Sequence, residues 1–205
     1  MYIPNADRME EHAALLRFMR AHNFATLVSH VDGALFATHV PVTIAESADA
    51  TVIHGHLAKA NPQWRELATQ QEVLVIFQGP HAYISPQNYA KRESVPTWNY
   101  IAVHAYGAAQ LVTDEAGKLA SLAALIAATE PAHQQQWDGQ TEQFRRGLLN
   151  GIVAFEIRVA RLEGKAKLSQ NRPVDDQVRV AAALVDHPDS AAQAVGHAMQ
   201  ELHHA

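Results

Sequence analysis

The sequence predicts a single α+β domain in which antiparallel strands close into a barrel. Apolar strand patterns in the first half of the chain follow one another through short turns such as Asp32-Gly33, and turns of this length join antiparallel neighbours. A parallel sheet would need a helix between every pair of strands. Closing the sheet removes its exposed edges. A length of 205 residues suits one such domain.

The chain begins with a predicted helix that leads into strands. Apolar residues recur with helical spacing over residues 7–21, and Asn23 breaks that pattern. Three strands are then predicted, at residues 24–29, 34–44 and 50–56. A short helix follows from Asn61 to Gln70, with Asn61 as its N-cap and Pro62 in its first turn.

The remaining elements are a mixture of long strands and helices. The apolar strand at residues 73–78 is expected to end at Gly79-Pro80, and residues 95–112 form an extended, aromatic-rich segment. Asp114 caps an alanine-rich helix that ends at Thr129. The expected order after it is a polar loop at 134–143, a short helix at 144–149, a strand at 152–162, and two tail helices from about residue 174, separated by His187-Pro188, with Asp189 or Ser190 capping the second.

Composition excludes several classes of function. The net charge is −5, so DNA binding would depend on a local basic patch rather than on overall charge. Because the chain has no cysteine, disulfides, thiolate nucleophiles, thiolate zinc sites and iron–sulfur clusters are excluded. Charged residues interrupt the first twenty positions, and no apolar run approaches the roughly 20 residues that span a bilayer. We therefore expect a cytoplasmic protein without a membrane partner.

A candidate anion site follows the predicted strand that ends at His56. Lys59 lies in the connection to the predicted helix at Asn61, and a helix N-terminus offers unpaired N–H groups and partial positive charge. The phosphate of a cofactor is the natural occupant. An ordinary capped helix with a solvated lysine explains the same pattern, and the sequence pattern by itself favours that explanation.

Two histidines on one strand face raise the question of a metal. His54 and His56 are two residues apart, and His39 lies on a neighbouring strand. Zinc sites need further ligands and a supporting carboxylate, which the spacing does not supply. We predict no metal site.

A third candidate is the planar cluster after residue 95. Trp98 and Tyr100 can stack on a flat ligand, and Asn99 can address its polar edge. Barrel core and a dimer interface are alternative explanations that strand periodicity does not separate. Residues 165–172 hold three cations and suit either a phosphate- or DNA-contacting loop or a solvated turn.

Neither a nucleophile–base pair nor a glycine-rich phosphate fingerprint stands out, so no catalytic residue is predicted. A DNA-reading helix-turn-helix is not evident, because the two tail helices carry little positive charge.

Five segments together resemble the PaiB-type FMN-binding negative transcriptional regulators. They are MYIPNA at the start, GHLAKANPQW at 55–64, GPHAYISPQNY at 79–89, VPTWNYIAVHAYG at 95–107 and KLSQNR at 167–172. They span nearly the whole chain in the family's order, which makes the signal more specific than any single motif.

The resemblance implies a split β-barrel of the pyridoxamine-phosphate-oxidase-like class, antiparallel and Greek-key-like, with flanking helices and a helical tail. We assign residues 1–172 to the FMN-binding domain and residues 173–205 to a helical tail packed on it. The resemblance also implies a bacterial homodimer with FMN near the subunit interface. The cofactor-binding candidates are His39, Val40, His56, Leu57, Ala58, Lys59, Asn61, Trp98, Asn99, Tyr100, Lys167, Gln170 and Asn171.

Three functions remain open on this basis. The first is a dimeric FMN-binding repressor whose flavin state modulates transcription, with DNA as its partner. The second is an FMN-dependent oxidoreductase of the flavin reductase or pyridoxamine-phosphate-oxidase kind, in which the flavin carries the chemistry. A haem-binding or haem-degrading protein is the third, because the chain has 13 histidines.

Overall fold

The computed structural model describes residues 1–69 and 72–202 of the chain. Strands and helices are mixed along this part of the chain, which confirms the α+β class. The strands are β1 (Arg8–Met9), β2 (Phe24–Val31), β3 (Ala34–Glu46), β4 (Thr51–Ala58), β5 (Val73–Ile84), β6 (Thr97–Val112) and β7 (Ile152–Lys167). The helices are α1 (His12–Ala21), α2 (Trp64–Leu67), α3 (Glu115–Thr129), α4 (Gln134–Asp138), α5 (Glu142–Leu149), α6 (Val174–Val185) and α7 (Ser190–Leu202).

The strands form a barrel. They pair in the order β1-β7-β4-β3-β2-β5-β6, and β6 pairs in addition with β7, so the six strands from β2 to β7 make a closed cycle. The pairs β1–β7, β2–β3, β2–β5, β3–β4 and β4–β7 are antiparallel. The predicted antiparallel barrel is therefore confirmed.

Strand β3 changes partner along its length. Residues Ala34–Pro41 pair with β2, whereas Val42–Glu46 pair with β4. Beyond Gly55, β4 continues beside β7, where His56 lies opposite Ala154. The first half of β3 is therefore not paired with β4, and two residues of the connection after β4, Asn61 and Gln63, hydrogen-bond to Thr38 in that half.

The chain divides into two compact units. One comprises Met1–Leu15, Gln78–Val103 and the chain from Glu163 onward; the other comprises Leu16–Phe77 and His104–Leu162. In the first unit, Ile84 and Leu168 pack with the apolar faces of α6 and α7. The second unit has fully buried side chains at Leu27, Ile53, Phe77, Phe155 and Ile157. The proposed boundary between residues 172 and 173 stays a prediction.

The predicted turn at Asp32-Gly33 is confirmed. Both residues have positive φ, 51° and 76°, as a two-residue hairpin turn requires. The backbone N–H of Asp32 donates to a carboxylate oxygen of Glu66 at 2.9 Å, which ties the turn to α2. The Asp114 cap is also confirmed, because its carboxylate accepts from Gly117 N at 2.8 Å.

Four expected elements are wrong in extent or type. Strand β7 continues to Lys167 instead of ending at residue 162, so it includes the start of the segment 165–172. The helix after β4 covers Trp64–Leu67 rather than starting at Asn61, and Gln70 lies outside the described residues. Strand β5 continues through Gly79-Pro80, where the buried positions change from odd to even numbers. A glycine and a proline are typical of such an irregularity within a strand. Residues 134–138 form a short helix instead of a loop, and its Trp137 is buried.

None of the helices in the described residues is both long enough and apolar enough to cross a membrane.

Candidate functional site

The loop that follows β4 presents an unpaired cation. Lys59 donates its backbone N–H to Gly151 O at 2.8 Å, and its carbonyl accepts from Trp64 Nε1 at 2.9 Å. Its side chain is exposed and has no partner within residues 1–69 and 72–202. The backbone is therefore fixed while the ammonium stays available to an anion.

Gln63 anchors this loop to the barrel. The residue is fully buried, with 0% exposure. Its Nε2 donates to Ser29 Oγ at 2.8 Å and to Leu27 O at 3.2 Å, and its Oε1 accepts from Thr38 Oγ1 at 2.6 Å. Because a buried amide is costly without partners, these bonds hold the loop against β2 and β3. Sequence reasoning missed this residue, since a glutamine in a polar loop is usually solvated.

Asn61 has a different role from the predicted one. It is not an N-cap, because α2 begins three residues later. Its Oδ1 accepts from Gln63 N at 3.0 Å, and its Nδ2 donates to Thr38 Oγ1 at 2.9 Å. The bond in which Asn61 Oδ1 accepts from Gln63 N closes a local turn, and this turn replaces the predicted first turn of the helix. A four-residue helix also offers no anion site of its own, so Lys59 carries the site.

Gln63 supplies the first prediction. Replacing it with leucine removes the donor to Ser29 Oγ and the acceptor of the Thr38 hydroxyl, so we expect the free energy of unfolding to fall by about 1–3 kcal/mol. Urea denaturation of Gln63→Leu measures this loss. Gln87→Leu, which alters an exposed glutamine, is the matched control and should be near neutral. Equal stability of Gln63→Leu and the wild type would show that the loop is anchored by other contacts.

The other predicted residues of this unit divide between core and surface. Val40 and Leu57 are 3% and 2% exposed, so their side chains belong to the core and only their backbones remain for a ligand. Ala58 is exposed. His39 is exposed and stacks on Phe24, with ring centroids 6.3 Å apart and an interplanar angle of 27°.

His56 is half-buried on β4, and desolvation by its surroundings lowers its pKa below the ordinary value. The unfolded chain then binds more protons than the folded chain between the lowered pKa and about 6.5. Stability is therefore expected to fall as the pH drops below about 6.5.

A second prediction tests this effect. The flavin-free His56→Asn variant should lose less stability between pH 7.5 and pH 5.5 than the wild type does. Thermal unfolding at both pH values measures the difference. His197→Asn, at an exposed position of α7, serves as control and should follow the wild type. If the His56 and His197 variants lost the same stability as the wild type, His56 would not contribute to acid sensitivity.

An exposed aromatic cluster lies in the other unit. Trp98 is 53% exposed, and its ring centroid is 6.0 Å from those of both His81 and Tyr83. Tyr83 meets the indole edge-on at 74° and is 52% exposed. Large apolar surface of this kind is typical of a ligand or protein contact.

Asn99 fixes the strand beneath this cluster. It is fully buried, and its amide donates to Ser169 Oγ at 2.9 Å, so its side chain acts on the fold rather than reaching solvent. Ser169 has a φ of 66°, a strained conformation for serine. Lys167 donates to Thr97 Oγ1 and, at 2.7 Å, to the carbonyl of Trp98. The start of β6 is thereby held by the segment that follows β7.

Three more of the predicted cofactor-binding residues lie in this unit. Tyr100 is half-buried, and its ring centroid is 5.2 Å from the ammonium nitrogen of Lys165. Gln170 uses its amide internally, because it accepts from Leu168 N at 2.6 Å and donates to Ala166 O. Asn171 is exposed. The segment 167–172 is therefore mainly a structural turn.

The chain matches a protein family and a bacterial relative. Residues 1–161 match the family model described as "Putative FMN-binding domain". The chain is 36% identical over 204 residues to protease synthase and sporulation protein PAI 2 of Bacillus subtilis, which covers 98% of this chain and 97% of that protein.

Solved structures show the same fold at low identity. The FAD and heme binding protein from Mycobacterium smegmatis gives a TM-score of 0.62 at 16% identity, over 84% of this chain and 78% of that one. The flavocytochrome Anf3 from Azotobacter vinelandii gives 0.59 at 16% identity, over 77% and 68%. At this identity, the likeness concerns the fold alone.

Proposed function

The chain belongs to this family of FMN-binding domains on a split β-barrel, and from that premise we propose that it is a dimeric regulator of transcription that senses its flavin. FMN is its cofactor. Bound FMN supplies reversible redox chemistry, and the protein supplies binding and orientation. The observation that carries the regulatory proposal is the 36% identity, over almost the full length of both chains, to a protein named for sporulation and protease synthesis.

The donor set of the loop after β4 fits FMN. A phosphate dianion pairs with a cation, and Lys59 provides an exposed ammonium on a backbone fixed by hydrogen bonds. Thr38 lies in the half of β3 that does not pair with β4, and its side chain bonds to Asn61, so the β3 backbone around it lies beside the same loop. We assign the phosphate to Lys59 and the backbone of residues 37–40 to the polar edge of the flavin ring.

We assign the aromatic cluster of His81, Tyr83 and Trp98 to the contact between two subunits. Truncating a central aromatic residue of an interface typically costs 2 kcal/mol or more, which is at least roughly a thirtyfold change in affinity. Trp98→Ala should therefore dissociate the dimer, which sedimentation velocity over a concentration series measures. Phe144→Ala, at a 50%-exposed aromatic residue of α5, is the control. If Trp98→Ala formed the same dimer as the wild type, the aromatic cluster would not be part of the interface.

The regulatory proposal is tested with the FMN-loaded protein and a labelled duplex from upstream of its own coding region. We expect binding that differs between the oxidised and reduced flavin and that weakens steeply with salt, as phosphate contacts require. Absence of binding at low salt in both redox states would overturn direct regulation.

An FMN-dependent oxidoreductase is the second candidate, and the net charge of −5 favours it over a DNA-binding protein. Its test is the steady-state oxidation of NADH by the FMN-loaded protein with oxygen as acceptor. Sustained turnover would establish the enzyme, and a rate equal to that of free FMN would exclude NADH as its reductant.

A further inference from the structure

Two cavities flank one histidine in the unit that contains β3 and β4. They measure about 430 Å³ and 540 Å³, and His54 and Ala124 line both of them. Their walls come from the sheet on one side and from α3 on the other. Cavities of this size accept small organic ligands.

Helix α3 contacts β3 and β4, and part of its face lines these cavities. Its sequence EAGKLASLAALIAAT is apolar around most of its circumference, yet none of its fifteen residues is buried in the structure. A helix that is apolar on all sides is normally buried. Here, Ala120 and Ala124 face open volume instead of tightly packed side chains. The space under the helix is therefore free for an apolar molecule.

The floor of the smaller cavity is polar. His54 on β4 lies directly opposite Glu156 on β7, and cross-strand neighbours have Cβ atoms about 5 Å apart. Both side chains are half-buried, and neither has a partner among the residues that the structure describes. Half-buried polar groups gain from a hydrogen-bonding ligand, because part of their hydration is already lost.

The charge of the lining selects the ligand. Glu156 and Asp114, whose Oδ1 also caps α3, bring two carboxylates to the smaller cavity, and no lysine or arginine of the described residues lines it. An anion would be repelled, whereas an ammonium group gains charge-assisted hydrogen bonds. The larger cavity adds the apolar side chains of Val42 and Ile44. Arg20 also lines it, and its guanidinium nitrogen lies 3.4 Å from a carboxylate oxygen of Glu46.

We propose that this site binds a small primary amine with an apolar body, the ammonium held by Glu156 and Asp114 and the body running past His54 under α3. The inference is independent of the flavin, whose assigned residues do not line either cavity.

Calorimetric titration of the FMN-loaded protein with hexylamine tests the proposal. Hexanol and hexanoate, which also have six carbons but carry a neutral and a negative head group, are the comparison ligands. We expect saturable binding of hexylamine, with a dissociation constant of about 1 mM or below. We expect at least tenfold weaker binding of hexanol and no binding of hexanoate. Glu156→Gln should weaken hexylamine binding about tenfold. Glu142→Gln, at an exposed carboxylate of α5 outside both cavities, should bind hexylamine like the wild type.

A second variant keeps the test decisive if Glu156→Gln does not fold. Ala124→Phe places a ring at the wall shared by both cavities and should abolish amine binding while the flavin spectrum stays unchanged. Undetectable hexylamine binding to the wild type, binding of hexanoate as tight as that of hexylamine, or full binding by Ala124→Phe would each overturn the proposal.

Discussion

Lys59→Ala is expected to weaken FMN binding by about 10- to 100-fold, because a hydrogen bond to a charged group contributes about 1.5–3 kcal/mol. The ammonium has no competing partner among the described residues, so its interaction with a phosphate is not offset by a lost ion pair. Quenching of flavin fluorescence on titration with apoprotein gives the dissociation constant.

Two further variants separate charge from general damage. Lys59→Arg keeps the charge and should retain most of the affinity. Lys91→Ala removes an exposed lysine that lies 3.8 Å from Glu93, and it should leave FMN binding unchanged. If Lys59→Ala bound FMN with unchanged affinity, the phosphate would not bind at the loop after β4, even if the protein retained FMN.

Gly107→Ala is expected to lower the melting temperature by roughly 2–12 °C. A Cβ at this position of β6 would lie 2.1 Å from the backbone oxygen of Arg158 on β7, so one strand must move. Overpacking of this kind costs about 1–3 kcal/mol or more, and each kcal/mol corresponds to about 2–4 °C in Tm at this chain length. The change tests the β6–β7 pairing that closes the barrel.

Gly147 supplies a matched control for this change. It lies within α5, and an added Cβ would meet no atom within 4 Å. Gly147→Ala should raise stability by about 0.5–1 kcal/mol, because alanine is the better helix former. Calorimetry on both variants should therefore give shifts of opposite sign. A Gly107 variant as stable as the wild type would mean that β6 and β7 are not in close contact there.

The parts of the fold that local signals determine were predictable. Asp32-Gly33 was correctly placed in a turn because its positive φ angles suit glycine and aspartate. The Asp114 cap and the helix to Thr129 were likewise correct, since capping depends on neighbours in sequence. Non-local packing explains the errors. Strand β5 passes through Gly79-Pro80 because strand pairing outweighs the local tendency of these residues to break structure.

The charged residue of the candidate site was predictable, whereas the buried residues that hold its loop were not. Lys59 was predicted because it lies between a strand pattern and a helix-capping pattern. The burial of Gln63 depends on β2 and β3, which lie 25 to 36 residues earlier in the chain, so no local pattern reveals it. The sequence predicts Asn99 at the edge of a ligand, yet its side chain lies in the interior. No local pattern reveals this, because its partner Ser169 is 70 residues away in the chain.

This chain binds FMN through its split barrel, and the visible absorption spectrum of the purified protein measures that binding. The protein is incubated with excess FMN, desalted and measured from 300 to 550 nm. We predict a retained flavin spectrum close to one FMN per chain and a higher Tm than that of the flavin-free protein. A spectrum without flavin, together with an unchanged Tm at saturating FMN, would contradict the account.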